Sequence, residues 1–218
     1  MLARALSANN AATLPGDAPA RFPFVSRRLL VGAAIGVGLF TASTLYWRSG
    51  GGFPPDDTPD GAYLRFAVKV PEGNIRDCFA YLEDEAQHAA YSIRDYRKQA
   101  SLRVEKTYPE PERSRLLEAY KAHATAPDGA DVWADMAVKR GWAGRLRRDL
   151  SGVVKVEVTG ERATVETARG TRYGFRKRQN GMWGLTMFTA ELLTEAERAA
   201  RDAEVVEKAA ADYERGNR

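Results

Sequence analysis

Hydrophobic and polar positions change their spacing three times along this chain of 218 residues, and each change marks a different kind of element. Leu29 to Trp47 runs for nineteen residues without a charge. As a helix rising about 1.5 Å per residue it spans roughly 28 Å, close to the thickness of a hydrocarbon core. From Asp60 the apolar positions take helical spacing. Asp60 reads as the cap of a helix with Tyr63, Phe66, Ala67 and Val70 on one stripe, stopped by Pro71 and Gly73. Asn74 reads as the next cap, followed by Ile75, Cys78, Phe79 and Leu82 at i, i+3, i+4 and i+7. The same face continues through Ala86, Ala89, Ala90, Ile93, Tyr96 and Ala100, which predicts one long helix ending before Pro109 and Pro111. A helix from about Pro111 to Ala124 follows, then a short one capped by Asp131 and closed by Gly141.

At Val153 the period drops to two. Val154, Val156 and Val158 alternate with polar residues up to a turn at Gly160-Glu161. Ala163, Val165 and Thr167 alternate next, then Tyr173 and Phe175, and Asn180-Gly181 is a strong hairpin signal before Trp183, Leu185 and Met187. Four such strands predict an antiparallel meander with one buried and one wet face. From about Thr189 helical spacing returns. Leu192, Ala196, Ala199, Ala203, Val206, Ala210 and Tyr213 alternate steps of four and three, a coiled-coil-like seam made mostly of alanine.

The expected class is therefore α+β: a transmembrane helix, helices packed on a four-stranded antiparallel meander, and a long C-terminal amphipathic helix. The segments are a cytoplasmic tail over 1–28, read as disordered from its Ala-, Asn- and Pro-rich composition, the anchor over 29–47, a Gly- and Pro-rich linker over 48–59, the α+β domain over 60–188, and the helix over 189–218.

Charge orients the anchor. Arg4, Arg21, Arg27 and Arg28 precede the apolar run, whereas Asp56, Asp57 and Asp60 follow it, so the N-terminus is expected in the cytoplasm and the domain outside a bacterial inner membrane. A competing reading takes Arg27-Arg28 and Thr41-Ala42-Ser43 as a cleaved export signal, which delivers the domain to the same side. The single cysteine, Cys78, excludes an internal disulfide and falls on an apolar stripe, where it reads as a packing residue. His88 and His123 lack ligand-spaced partners, so neither a metal nor a cofactor is expected.

The stretch from Val153 to Phe188, ending in Asn180-Gly181-Met182-Trp183-Gly184-Leu185, resembles the nuclear transport factor 2-like superfamily of cone-shaped α+β domains. The anchor-then-domain layout also resembles inner-membrane assembly proteins of type IV secretion machines. Some members of the superfamily are enzymes that place a carboxylate and hydroxyl donors inside an apolar cone. Here Tyr63, Tyr81, Tyr91, Tyr96, Trp133, Trp142 and Trp183 are the rings that could line one, yet each also fits a core position. Glu157 and Glu166 alternate away from the apolar strand positions, and no nucleophile elbow, phosphate loop or dinucleotide fingerprint occurs.

The expected function is a non-catalytic binding or assembly module of the envelope, with a small-molecule enzyme of isomerase or hydrolase type, using the cone as its pocket, as the alternative. No catalytic residue is assigned. Between Lys139 and Arg178 twelve Lys and Arg face four acids. Arg145, Arg147 and Arg148, with Arg172, Arg176 and Arg178, form the candidate patch for an anion or an acidic partner. A solvated sheet face paired with helix acids accounts for the same residues. Expected partners are the bilayer, an envelope protein or a second copy, and not nucleic acid. Self-association is placed on Gly32 and Gly36, a GxxxG pair, and on the seam residues Ala196, Ala199, Ala203, Val206 and Ala210.

Overall fold

A computed structural model of the protein describes residues 54–216. The apolar run 29–47, with Gly32 and Gly36, lies outside the described residues, among which no helix is long and apolar enough to cross a membrane.

Helix α1 (Pro59–Lys69) opens two residues earlier than its sequence suggests. Thr58, not Asp60, is the cap: its hydroxyl accepts from the Gly61 amide at 3.2 Å, and Pro59 takes the first helical position, where a missing N–H costs nothing. Asp60 instead adds negative charge to the first turn. The long helix expected from Ile75 divides in two. Ile75–Tyr81 is a 3₁₀ helix, Leu82 turns extended, and α2 runs Asp84–Thr107. The break has a tertiary cause. Leu82 forms a parallel bridge with Leu185, and the Glu83 amide donates to the Leu185 carbonyl at 3.2 Å. Edge pairing outweighs the helical period here. Along α2 the buried stripe is Ala86, Ala89, Ala90, Ile93, Arg97, Ala100 and Val104, so Arg97 takes the place expected for the exposed Tyr96.

Helix α3 (Glu112–Ala124) buries no residue completely and leans Leu116, Leu117 and Tyr120 on the core. Helix α4 (Gly129–Lys139) is capped by Asp128, which accepts from the Ala130 and Asp131 amides, while Asp131 accepts from the Asp128 amide. Asp131 is thus the third residue of a capping box rather than the cap. Gly141, at φ +70°, then starts α5 (Trp142–Asp149), a helix the arginine-rich sequence concealed.

The meander follows as expected: β1 (Val153–Thr159), β2 (Arg162–Thr167), β3 (Arg172–Lys177) and β4 (Trp183–Leu185), all antiparallel in the order β1-β2-β3-β4. The last hairpin closes through residues 178–182 rather than through a two-residue turn. Gly181 supplies φ +83° and the Asn180 side chain accepts from the Met182 amide at 3.0 Å. Val165, Tyr173, Phe175, Trp183 and Leu185 face the helices and are buried. The valines of β1 do not follow them. Val154, Val156 and Val158 are 62%, 37% and 55% exposed, so the buried face expected along this strand is missing from it.

Helix α6 (Thr189–Gly216) lies along α2. It adds Leu192 and Ala196 to the main core, beside Phe188 just before its start, and forms a second cluster with Ala100, Val104 and Tyr108 through Ala203, Val206 and Ala210. Residues 189–216 are therefore one compact unit with the sheet and its helices, not an appended segment.

Candidate functional site

The interior between sheet and helices is filled by rings. Trp133 stacks on Trp142 with centroids 5.5 Å apart, and Phe188 stands 4.9 Å from each. Trp133 Nε1 donates to the Ile75 carbonyl at 2.8 Å, and Trp183 Nε1 to the Asp57 carbonyl at 2.9 Å. Tyr63 packs 5.2 Å from Tyr173 and its hydroxyl donates to the Ser151 carbonyl at 2.8 Å. These rings are buried and belong to the main core. Of the remaining aromatics, Tyr91 and Tyr96 are exposed and Tyr81 is half-buried. The Tyr173 hydroxyl is buried and has no hydrogen-bond partner among the described residues, and burial pushes its ionisation upward. Burial likewise pushes the Cys78 thiol up to about 12, with Asp77 adding to it, which leaves a packed thiol rather than a nucleophile.

A groove of about 440 Å³ opens where the first turn of α2 meets the end of β3 and the start of α6. Glu83 lies buried at its floor, accepting from the Thr189 hydroxyl. Its second oxygen has Arg176 Nη1 at 3.3 Å, an ion-pair distance without hydrogen-bond geometry. Arg176 also donates to Glu85 at 3.2 Å. Arg178 donates to Asp84 at 2.6 Å, to the Ala80 carbonyl at 2.8 Å and to Gln87 at 3.2 Å. Partial burial pushes the Asp84 carboxyl up, but the Arg178 guanidinium and the Gln179 amide outweigh it and hold it below the usual range. His88 lines the groove from the α2 side and is exposed. The charges here answer one another and clamp the last hairpin to α2.

The six arginines singled out in the sequence therefore divide. Arg172 sits on the outer face of β3 within reach of Glu157 (3.4 Å) and Glu166 (3.5 Å), beside Arg176, whereas Arg178 lies one residue past the strand. All three are paired inside the domain and do not form a free basic strand face. Arg145, Arg147 and Arg148 project from α5, exposed. Among the described residues none of the three makes an ion pair, and Arg147 Nε reaches only the Val70 carbonyl at 3.4 Å. The self-association residues divide as well. Ala196, Ala199, Ala203, Val206 and Ala210 are buried within their own chain, largely against α2, so they offer no surface to a second copy.

A buried charged cluster went unread in the sequence. Arg97 donates to Asp202 at 2.5 Å, lies 3.4 Å from Glu195 and stacks 4.9 Å over the Tyr120 ring. Glu195 also accepts from Arg140 at 2.7 Å and from Arg198 at 3.3 Å. Its signal was available: Arg97 falls on the stripe Ile93, Ala100, Val104 at steps of four and three. His123 meets Asp135 at 2.9 Å on the far side of α4. Among the described residues no group of histidines, cysteines or carboxylates is arranged to hold a metal.

The chain matches no family model, and no similar curated protein or solved structure was found.

Proposed function

We propose that this protein is a membrane-anchored module of a bacterial inner membrane, with its N-terminus cytoplasmic and its α+β domain exported, that binds or assembles other envelope components without catalysis. The observation that carries the binding reading is the ring-filled interior, in which Trp133, Trp142 and Phe188 pack against one another as part of the main core. What remains for recognition is the surface, and there the arginines of α5, which make no ion pair among the described residues, contrast with the neutralised ones in and just after β3. Arg145, Arg147 and Arg148 suit an acidic segment of a protein partner, because guanidinium groups offer forked donors to carboxylates. The anchored topology rests on the uncharged run 29–47 and the arginines before it. Kinship with the nuclear transport factor 2-like domains belongs to the same proposal, supported by the strand order and the Asn180–Trp183 hairpin.

Two measurements test this reading. A reporter fused after Arg218 should behave as exported while the chain stays with the membrane fraction; a cytoplasmic reporter, or a soluble chain beginning near Thr44, overturns the anchor. Capture from detergent-solubilised membranes should yield a partner that an Arg145→Glu/Arg147→Glu/Arg148→Glu variant loses while keeping the parent's circular dichroism. Retention of that partner by the variant rejects the α5 patch.

A further inference from the structure

Among the described residues, the outermost strand of the sheet, β1, has main-chain groups with no neighbour and exposed inner-face side chains. Hydrogen bonds at the ends of β2 fix which way its residues face. The Glu161 carbonyl accepts from the Lys177 amide and the Thr167 amide donates to the Thr171 carbonyl, so odd-numbered residues bond toward β3. The Ala168 amide donates to the Gly152 carbonyl, so even-numbered ones bond toward β1. Thr164 stands opposite Glu157 and Glu166 opposite Lys155. Lys155 and Glu157 therefore bond to β2, while Val156 and Val158 direct their amides and carbonyls off the free edge. Their side chains share the inner face with their opposite numbers, Val165 and Ala163, yet both stay exposed where those two are buried.

The strand is also complementary to itself. Val154-Lys155-Val156-Glu157-Val158, set antiparallel to a second copy about Val156, brings Lys155 of each copy opposite Glu157 of the other on the outer face. On the inner face Val156 meets Val156. Neighbouring registers fail. Centring one residue earlier sets Lys155 against Lys155, and one residue later sets Glu157 against Glu157; like charges directly opposite are destabilising. Centring between residues puts valine opposite charge. Glu157 already lies 3.4 Å from Arg172 and 2.6 Å from Lys155 of its own strand, so the pairing extends an existing charge ladder.

We infer that β1 is a self-pairing edge, and that two copies of this chain join β1 to β1 antiparallel about Val156 into one eight-stranded sheet. The opposite edge cannot propagate the sheet, because Leu82 and Glu83 already lie along β4, so the assembly closes at two. The irregularity between Val153 and Lys155 ends the regular edge at Lys155, so the self-pairing rests on Lys155, Val156 and Glu157 of each copy and the contact is short. This inference does not depend on the anchored-module reading.

Cysteine cross-linking of the full chain in mild detergent tests it, with the buried Cys78 as a silent background. Opposed strand residues lie about 4.5–5.5 Å apart at Cα, within disulfide reach. Val156→Cys should form a disulfide dimer at least about tenfold faster than Val138→Cys, an exposed apolar site on α4. Lys155→Cys mixed with Glu157→Cys should give the mixed dimer, and neither should cross-link with itself at that rate. Lys155→Glu should lower the Val156→Cys rate, and Lys155→Glu/Glu157→Lys should restore it. Equal rates at Val156 and Val138 overturn the proposal. So does a dimer insensitive to charge reversal, which would mean another segment joins the copies, or an edge occupied only when a different protein is present.

Discussion

Strand β4 has three residues, and the main chain of Leu82 and Glu83 lies so close along it that Gly184 has no room for a side chain. Strand β1 has seven, and no described residue pairs with its outer edge. Both are edges of one sheet with the same inner-face chemistry, so the difference lies in what the rest of the chain brings to them. At β4 a break in a helical segment brings up the extended pair Leu82-Glu83 with its buried carboxylate, and the strand's own Trp183 is anchored on the linker. At β1 there is a bulge, a lysine and alternating charge, the devices that keep an open edge soluble and selective. One edge contributes to the fold's stability; the other leaves its hydrogen bonds for a neighbour.

The largest expected effect lies at the closed edge. Trp183→Ala should cost about 3–5 kcal/mol in denaturant unfolding, since it empties a buried site and strips the Asp57 carbonyl of its donor. A variant as stable as its parent would mean that β4 is not locked. Gly184→Ala comes next. Its Cβ would fall 2.4 Å from Glu83 Cα, a main-chain contact that relaxes only by shifting the extended pair, at about 1–3 kcal/mol.

The clamp beside β4 should show as a modest acid sensitivity. Asp84 ionises below its usual range when folded, so its contribution is present above about pH 4, where the unfolded carboxyl also ionises, and fades as pH falls through the lower folded value. Asp84→Asn should lower stability at neutral pH by less than about 1 kcal/mol and flatten that acid limb in thermal melts. An unchanged limb would assign it to other carboxylates. At the open edge the expected effect on folding is smallest. Val158→Thr should move unfolding free energy by no more than about 0.5 kcal/mol, because the side chain is already 55% exposed. A loss of several times that would show β1 to be covered within its own chain.

Local signals were legible where local physics decides. The strands of the meander, the Gly181 turn, the start of α6 and the seam on it follow from spacing and backbone chemistry alone. The break at Leu82 was not legible, because Ile75 to Ala100 keeps a helical period and only the Leu185 edge, about a hundred residues on, defeats it. Caps erred by two or three residues, where Thr58-Pro59 and Asp128 competed with nearby aspartates. The valines of β1 carry the alternation of a half-buried strand, but alternation cannot report whether a helix covers that face. In the candidate site, charge counting found the arginines of α5 and β3 alike. Which of them are neutralised depends, for Arg172, on the strand neighbours Glu157 and Glu166. For Arg176 and Arg178 it depends on Glu83, Asp84 and Glu85, which the break at Leu82 brings to the last hairpin.

The cluster around Arg97 has a temporal consequence. Its carboxylate partners, Glu195 and Asp202, lie 98 and 105 residues later in the chain. A polypeptide emerging from a ribosome or a translocation pore presents α2, with its apolar stripe and a guanidinium set in the middle of it, long before the segment that covers both has been made. Loop closure over such a separation is slow relative to helix formation, so the early intermediate is a helix with a charged flaw in its sticky side. That flaw keeps the half-made stripe hydrated and ill-suited to chance apolar partners until the final helix arrives with the matching acids. Chains cut short before Glu195 should for the same reason remain unfinished and open to proteolysis rather than settle into a smaller domain.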